Sequence, residues 1–251
     1  VVHDGRIYVY GTNDHQQYDV VGRNGKNTYQ HIHSLTMVSS DDMVNWTYHG
    51  VINVKALAPW GMASWAPSIA SRKEADGKTH FYLYSSNSGS GVGRLTATSP
   101  VGPWTDPLGK CVVDGNTPGL GKCKAPFDPG VVIDDKGIGW LSFGGGDSDD
   151  YIPGDARIVR LANDMKTLDS EIVEIKAPYH FEANELNYLN GTWIYTYNTN
   201  WKNRDAWPHK DIDKPSRCCM SYMTSRTPLE TDSWTYRDNY FKNPGDYGMS
   251  D

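Results

Sequence analysis

Residues 129–146 read PGVVIDDKGIGWLSFGGG: two apolar runs, Val131–Ile133 and Ile138–Phe143, flank a polar turn from Asp134 to Gly137. Short runs rich in β-branched and aromatic residues, joined through an Asp/Gly turn, predict a β-hairpin. Three more stretches repeat the pattern: HDGRIYVYGTND from His3, ADGKTHFYLYSSN from Ala75 and LNGTWIYTYNTN from Leu189. Their turn glycines are Gly5, Gly77, Gly137 and Gly191. The last three turns are preceded by strand-like segments, APSIASR, PGVVIDD and NELNYL, and all four hairpins are followed by a further apolar run. Four strands per unit, recurring at about 50–70 residues, is the signature of a β-propeller. An all-β sandwich would carry similar turns without the higher period. No segment predicts a convincing helix.

Composition narrows the function. The chain has 251 residues, 38% hydrophobic and 22% charged, so it can bury a core. A net charge of −6 argues against a nucleic-acid partner. No apolar run approaches the length of a membrane helix, and the opening VVHDGRIYVYG has no signal-peptide pattern. Location therefore stays open. There are 16 Tyr and 9 Trp against 5 Phe. Such side chains suit strands, and they suit clefts that stack sugar rings. Cys111 and Cys123 could close a loop as a disulfide or remain thiols, whereas Cys218 and Cys219 are adjacent and pair poorly. No Cys/His spacing suggests zinc.

Five segments in order resemble glycoside hydrolase family 43. They are SSDDMVNWTYHG (Ser39–Gly50), SWAPSI (Ser64–Ile69), TATSPVGPWTD (Thr96–Asp106), FDPGVVIDDKG (Phe127–Gly137) and FEANELNYLNGTWIYTY (Phe181–Tyr197). The resemblance implies a five-bladed propeller, with about four blades represented in a single domain over 1–251. It also implies a hydrolase that cleaves xylose or arabinose linkages in xylan, arabinan or arabinoxylan. β-Xylosidase or α-L-arabinofuranosidase action is expected ahead of endo-arabinanase. No cofactor is implied for the chemistry, but a cation, often calcium, is expected at the propeller centre.

In that family three carboxylates converge on the axis. The resemblance makes Glu182 the general acid and Asp128 the residue that tunes and orients it. An inverting glycosidase needs one neutral acid and one ionised base on opposite sides of the bond. A second negative charge near the acid, and apolar neighbours such as Phe181 and Ala183, both favour its protonated form. The family's base would fall a few residues upstream of Val1, and a fifth blade would begin in NPGDYGMSD (Asn243–Asp251), so the chain is expected to be truncated at both ends. A carbohydrate-binding propeller without catalysis is the alternative. Fructan-cleaving propellers are a third reading, matched less well by WAPSI and FDPG.

Further contacts to sugar are expected from Trp65 and Phe127 as aromatic walls, from Asp14 after the first long strand, and from Arg217. Strand alternation predicts that Glu182 and Glu185 point to opposite faces, leaving Glu185 solvated. FGGGDSDDYIPGD (Phe143–Asp155) lacks EF-hand spacing and is read as a loop over the cleft. His31 and His33 are expected on one strand face, without a metal role.

Overall fold

The structure, a computed structural model, describes residues 1–243. It contains four antiparallel sheets of four strands each. The first comprises β1 (Val2–His3), β2 (Arg6–Thr12), β3 (Ser34–Ser40) and β4 (Thr47–Asn53). The second comprises β5 (Trp65–Lys73), β6 (Thr79–Ser86), β7 (Gly91–Ala97) and β8 (Val113–Asp114). In the third are β9 (Gly130–Ile133), β10 (Gly139–Phe143), β11 (Arg157–Arg160) and β12 (Val173–Glu174). The fourth holds β13 (His180–Leu189), β14 (Thr192–Thr199), β15 (Met220–Ser225) and β16 (Thr235–Phe241). Each sheet runs in sequence order, and β9 touches both β5 and β13. These are four blades of a five-bladed propeller, with the leading strand of each blade innermost. The expected start of a fifth blade lies outside the described residues beyond Asn243.

The hairpin glycines sit where the sequence places them. Asp4–Gly5 and Asn190–Gly191 both take positive φ at two successive residues, the two-residue turn that matches strand twist. In the third blade Asp134 secures the turn: its carboxylate accepts from the amides of Lys136 and Ile138 and from the Trp140 indole. These four turns mark one end of the ring. The leading strands start at the other end, so the loops there surround the axis mouth.

Three apolar clusters weld the seams between successive blades. One centres on Leu35, Phe81 and Leu95, one on Tyr84, Leu141 and Phe143, and one on Ile158, Tyr195 and Tyr197. Much of the tyrosine excess is spent here. Fully buried rings supply area, and the hydroxyls of Tyr84 and Tyr197 find partners on the Met165 and Pro178 carbonyls.

The structure departs from the sequence reading at two points in the fold. Two short helices occur, α1 (His15–Val21) and α2 (Val54–Leu57). His31 and His33 precede β3 and are not in a strand. Of the two states left open for Cys111 and Cys123, the structure has free thiols, and burial pushes each up to about 11.

Candidate active site

The leading strands of blades two, three and four begin with the same backbone device. Ala66, Asp128 and Ala183 all have positive φ, at 40°, 51° and 58°. This region is unfavourable for residues with a Cβ, so the surrounding structure must hold it. In β5 the pairing with β6 steps from Trp65–Ser86 to Ser68–Tyr84, and in β13 that with β14 steps from Glu182–Asn198 to Glu185–Thr196. Three residues on the inner strand therefore span two on its neighbour, a β-bulge.

The bulge overturns the expected alternation of the two glutamates. Asn198 and Thr196 are two apart and share a face, so Glu182 and Glu185, their partners, also share one. Glu185 is not a solvated strand residue. Its Oε1 accepts from Ser68 Oγ at 3.1 Å and from its neighbour Leu186 N at 3.0 Å. Burial pushes its carboxyl up to about 7, against the opposing pull of those two donors. Ser68 in turn accepts from Val131 N at 3.0 Å, so one hydroxyl links the inner strands of three blades. Gly130 permits this closeness. A Cβ there would lie 2.7 Å from both Glu185 Cα and Leu186 N.

Asp128 and Glu182 meet at the axis mouth. Asp128 is buried, with Oδ2 accepting from Ala183 N at 2.8 Å and Oδ1 from Ser86 Oγ at 3.3 Å. The same Ser86 oxygen accepts from the Asp128 amide at 2.8 Å. Burial raises the Asp128 carboxyl, while the bonds from Ala183 and Ser86 oppose the rise. Glu182 is pushed up to about 7, first by burial and then by the charge of Asp128, with His180 acting the other way. A carboxylic acid that keeps its proton near neutrality thus stands beside a carboxylate fixed by backbone and hydroxyl donors. That pairing can protonate a departing oxygen.

Aromatic groups frame the pair. Trp65 is half-buried, its indole N–H donating to Tyr29 O at 2.9 Å with the exposed Tyr29 ring edge-on. Phe127 packs against Gly145, where an added Cβ would come within 2.6 Å of the ring. Gly145 and Gly146 also run along the Phe181 carbonyl, which accepts from Gly146 N at 2.9 Å. The glycine run thus lets the segment after β10 pass against both phenylalanines. Trp201, which sequence reasoning missed, is 48% exposed and edge-on to Phe181 at 5.1 Å. Its signal was available, as the first aromatic after β14 on the loop side of the acid.

Two expected residues are not drawn into this cluster. Asp14 is exposed at the N-cap of α1, and no bond ties it to either carboxylate. Arg217 is exposed ahead of β15, while the buried guanidinium nearby is that of Arg204, stacked 4.1 Å over the Tyr179 ring. Among the described residues no three His, Cys, Asp or Glu side chains gather to hold a metal ion. The axial cavity, about 460 Å³, presents the Glu185 carboxylate and the Ser68 hydroxyl within a wall of mixed polarity. Calcium takes six to eight oxygens, so these residues do not by themselves make the expected cation site.

The family model for glycosyl hydrolases family 43 matches residues 2–246. The chain belongs to glycosyl hydrolases family 43. Among family 43 relatives, it is 39% identical to an arabinoxylan arabinofuranohydrolase of Bacillus subtilis over 98% of this chain and 49% of that protein. An arabinoxylan arabinofuranohydrolase of Paenibacillus polymyxa is 36% identical over 97% of this chain and 39% of its own length. The chain thus spans about half the length, or less, of the curated relatives it matches. A family 43 crystal structure, the Bacillus subtilis arabinoxylan arabinofuranohydrolase with cellotetraose, superposes with a TM-score of 0.86 at 38% identity, covering 98% of this chain and 52% of that one. An α-L-arabinofuranosidase of Clostridium thermocellum superposes with a TM-score of 0.75 at 32% identity, covering 98% and 72%.

Proposed function

We propose that this chain is the catalytic propeller of an inverting glycoside hydrolase that removes arabinose or xylose units from plant hemicellulose, with arabinose side groups of arabinoxylan the leading substrate. The observation that carries it is Glu182, a carboxyl held up to about 7 at the axis mouth by burial and by Asp128. The names of the two curated relatives support the substrate.

Glu182 donates its proton to the glycosidic oxygen as the bond to the anomeric carbon breaks. Asp128 keeps that proton on Glu182 by its charge and, through Ala183 N, fixes the bulge that aims the acid. As the acid ionises, the nearby negative charge makes it readily reprotonated for the next cycle. Trp65, Phe127 and Trp201 offer aromatic faces to sugar rings. Water is delivered from the far side by a base, roughly 6.5–9.5 Å from the acid in inverting enzymes.

Glu182→Gln in the full-length protein tests the assignment. Hydrolysis of nitrophenyl arabinofuranoside and of arabinoxylan should fall by at least about 10²-fold, the usual contribution of a general acid. Undiminished turnover would sink it. Binding of arabinoxylan by the wild-type protein with no release of sugar would identify a carbohydrate-binding propeller instead.

A further inference from the structure

The loop between β14 and β15, residues 200–219, carries Trp201 and is gathered around one buried arginine. Arg204 is 6% exposed. Its Nε donates to Pro215 O at 2.9 Å. Nη1 donates to Asn200 Oδ1 at 2.8 Å and to Lys202 O at 2.6 Å. Nη2 donates to Asn200 O at 2.5 Å and to Ser216 O at 3.0 Å. The guanidinium stacks on the buried Tyr179 ring, 4.1 Å from its centroid. Five N–H donors thus meet five acceptors, four backbone carbonyls and one side-chain amide oxygen, none of them charged. A cation buried without a counter-ion is costly even when fully bonded. The arrangement is explained by what it holds in place.

What it holds is the backbone on both sides of Trp201. Three of the five bonds land on Asn200 and Lys202, the two neighbours of the tryptophan. The other two bring Pro215 and Ser216, at the far end of the loop, onto its start. Asn200 is fixed further: its amide donates to Tyr179 O at 2.9 Å and its Nδ2 to Ser148 O at 3.2 Å. Lys202 Nζ pairs with Asp147 at 3.4 Å and Asp149 at 3.0 Å, and it stands 5.5 Å from the centre of the Trp201 ring. Ser148 and both aspartates lie between β10 and β11, so loops of two blades are laced together at this ring. Yet the ring itself is 48% exposed, edge-on to Phe181. A large apolar ring left half in water adds little to folding. Held this firmly, it gives up little freedom when a sugar stacks on it.

We propose that Arg204 is a positioning residue that presets Trp201 as a platform for arabinoxylan beyond the sugar being cleaved, and so favours polymer over small glycosides. It touches no substrate and acts through Trp201. Lysine cannot take its place, because three donors on a point charge do not span both ends of the loop. The role rests on the reading of the axis mouth as an arabinoxylan site, but not on which carboxyl is the acid.

A double-mutant cycle in the full-length protein tests it. Binding of soluble arabinoxylan, read by affinity electrophoresis, needs no turnover. Arg204→Lys should raise Kd by about fivefold to tenfold, approaching Trp201→Ala, because a ring no longer held stacks poorly. Its kcat on nitrophenyl arabinofuranoside should stay within about twofold of wild type, since the loss is one of binding to the polymer. In the Trp201→Ala background Arg204→Lys should add nothing, because the ring it positions is gone. A merely structural role would lower the melting temperature and weaken binding equally in both backgrounds. Equal losses in the two backgrounds, or an unchanged Kd in folded Arg204→Lys, would overturn the proposal. If Arg204→Lys does not fold, Asn200→Ala replaces it in the cycle. That variant removes one acceptor and the tether to Ser148, and its loss, about threefold, should likewise vanish without the ring. Persistence of that loss in Trp201→Ala would count equally against the role. Absence of arabinoxylan binding by the wild-type protein would remove the reading of the mouth and this role together, whereas binding with an additive cycle removes the role of Arg204 alone.

Discussion

Asp128 and Ala183 are joined across two blades by one hydrogen bond, 2.8 Å from the Ala183 amide to Asp128 Oδ2. Both residues have positive φ, so each strained backbone holds the other's partner in place. Asp128→Asn keeps an oxygen for that amide but removes the charge. Glu182 should then lose its proton more easily, and the high-pH limb of kcat/KM should shift below about 7. Turnover should fall by roughly 10²-fold, most for poor leaving groups, which need the acid most. Rates on dinitrophenyl and unactivated pentosides, compared across pH, check both.

Wild-type activity should itself decline above about pH 7, where Glu182 ionises. The sign follows from its role: the protonated form is the active one, so activity is full below that value and lost above it. The expected fall approaches tenfold per pH unit in kcat/KM. A flat profile to pH 9 would exclude Glu182 as the limiting acid.

Glu185 bears on stability. Its folded value of about 7 lies above the ordinary 4.5. Its protonation thus favours the folded state fully below about 4.5, and that contribution is lost as pH rises toward 7. Glu185→Gln removes the dependence and keeps an acceptor for Ser68. At pH 8 the variant should be more stable than wild type, on the order of 1 kcal/mol, with no gain at pH 4. Denaturant melts at the two values measure it.

Gly130→Ala should fail for a different reason. The new methyl would meet Glu185 Cα and Leu186 N at 2.7 Å and Ser142 Oγ at 2.6 Å. Backbone atoms cannot rotate away, so β9 must separate from β13. Overpacking of this kind costs about 1–3 kcal/mol. A shift in denaturant midpoint, with activity lost in parallel, is expected.

Trp201→Ala should weaken action on polymer more than on small glycosides. The ring is half-exposed beside Phe181, and Lys202, 5.5 Å above it, pairs with Asp147 and Asp149. Loss of one stacking ring should raise KM for arabinoxylan by about tenfold, within the range for a single stacked ring. kcat on nitrophenyl arabinofuranoside should change little.

The blades were legible because their signals are local. An Asp–Gly or Asn–Gly turn between aromatic runs states its own geometry, and Gly5, Gly77, Gly137 and Gly191 all sit in hairpins. Glu182 and Asp128 were found through motif resemblance, and the structure puts them side by side. What failed was strict alternation: the bulge at Ala183 adds a residue that no side-chain pattern announces, and it turned Glu185 inward. Asp14 and Arg217 are exposed and are not drawn to the carboxylate pair. Loop direction is set by packing far along the chain, which no local pattern states. The Arg204 clasp stayed hidden because its partners, from Tyr179 to Ser216, are spread along the chain.

The shared kink at Ala66, Asp128 and Ala183 makes the blades interchangeable seats around one table. Each seat fixes a backbone first and leaves its occupant free: Trp65 ahead of one kink, Phe127 ahead of the next, Glu182 ahead of the third. A protein made this way can exchange a reactive group for a ring, or the reverse, without rebuilding its scaffold. New specificities would arise by reseating side chains at the axis, with the strands left where they are.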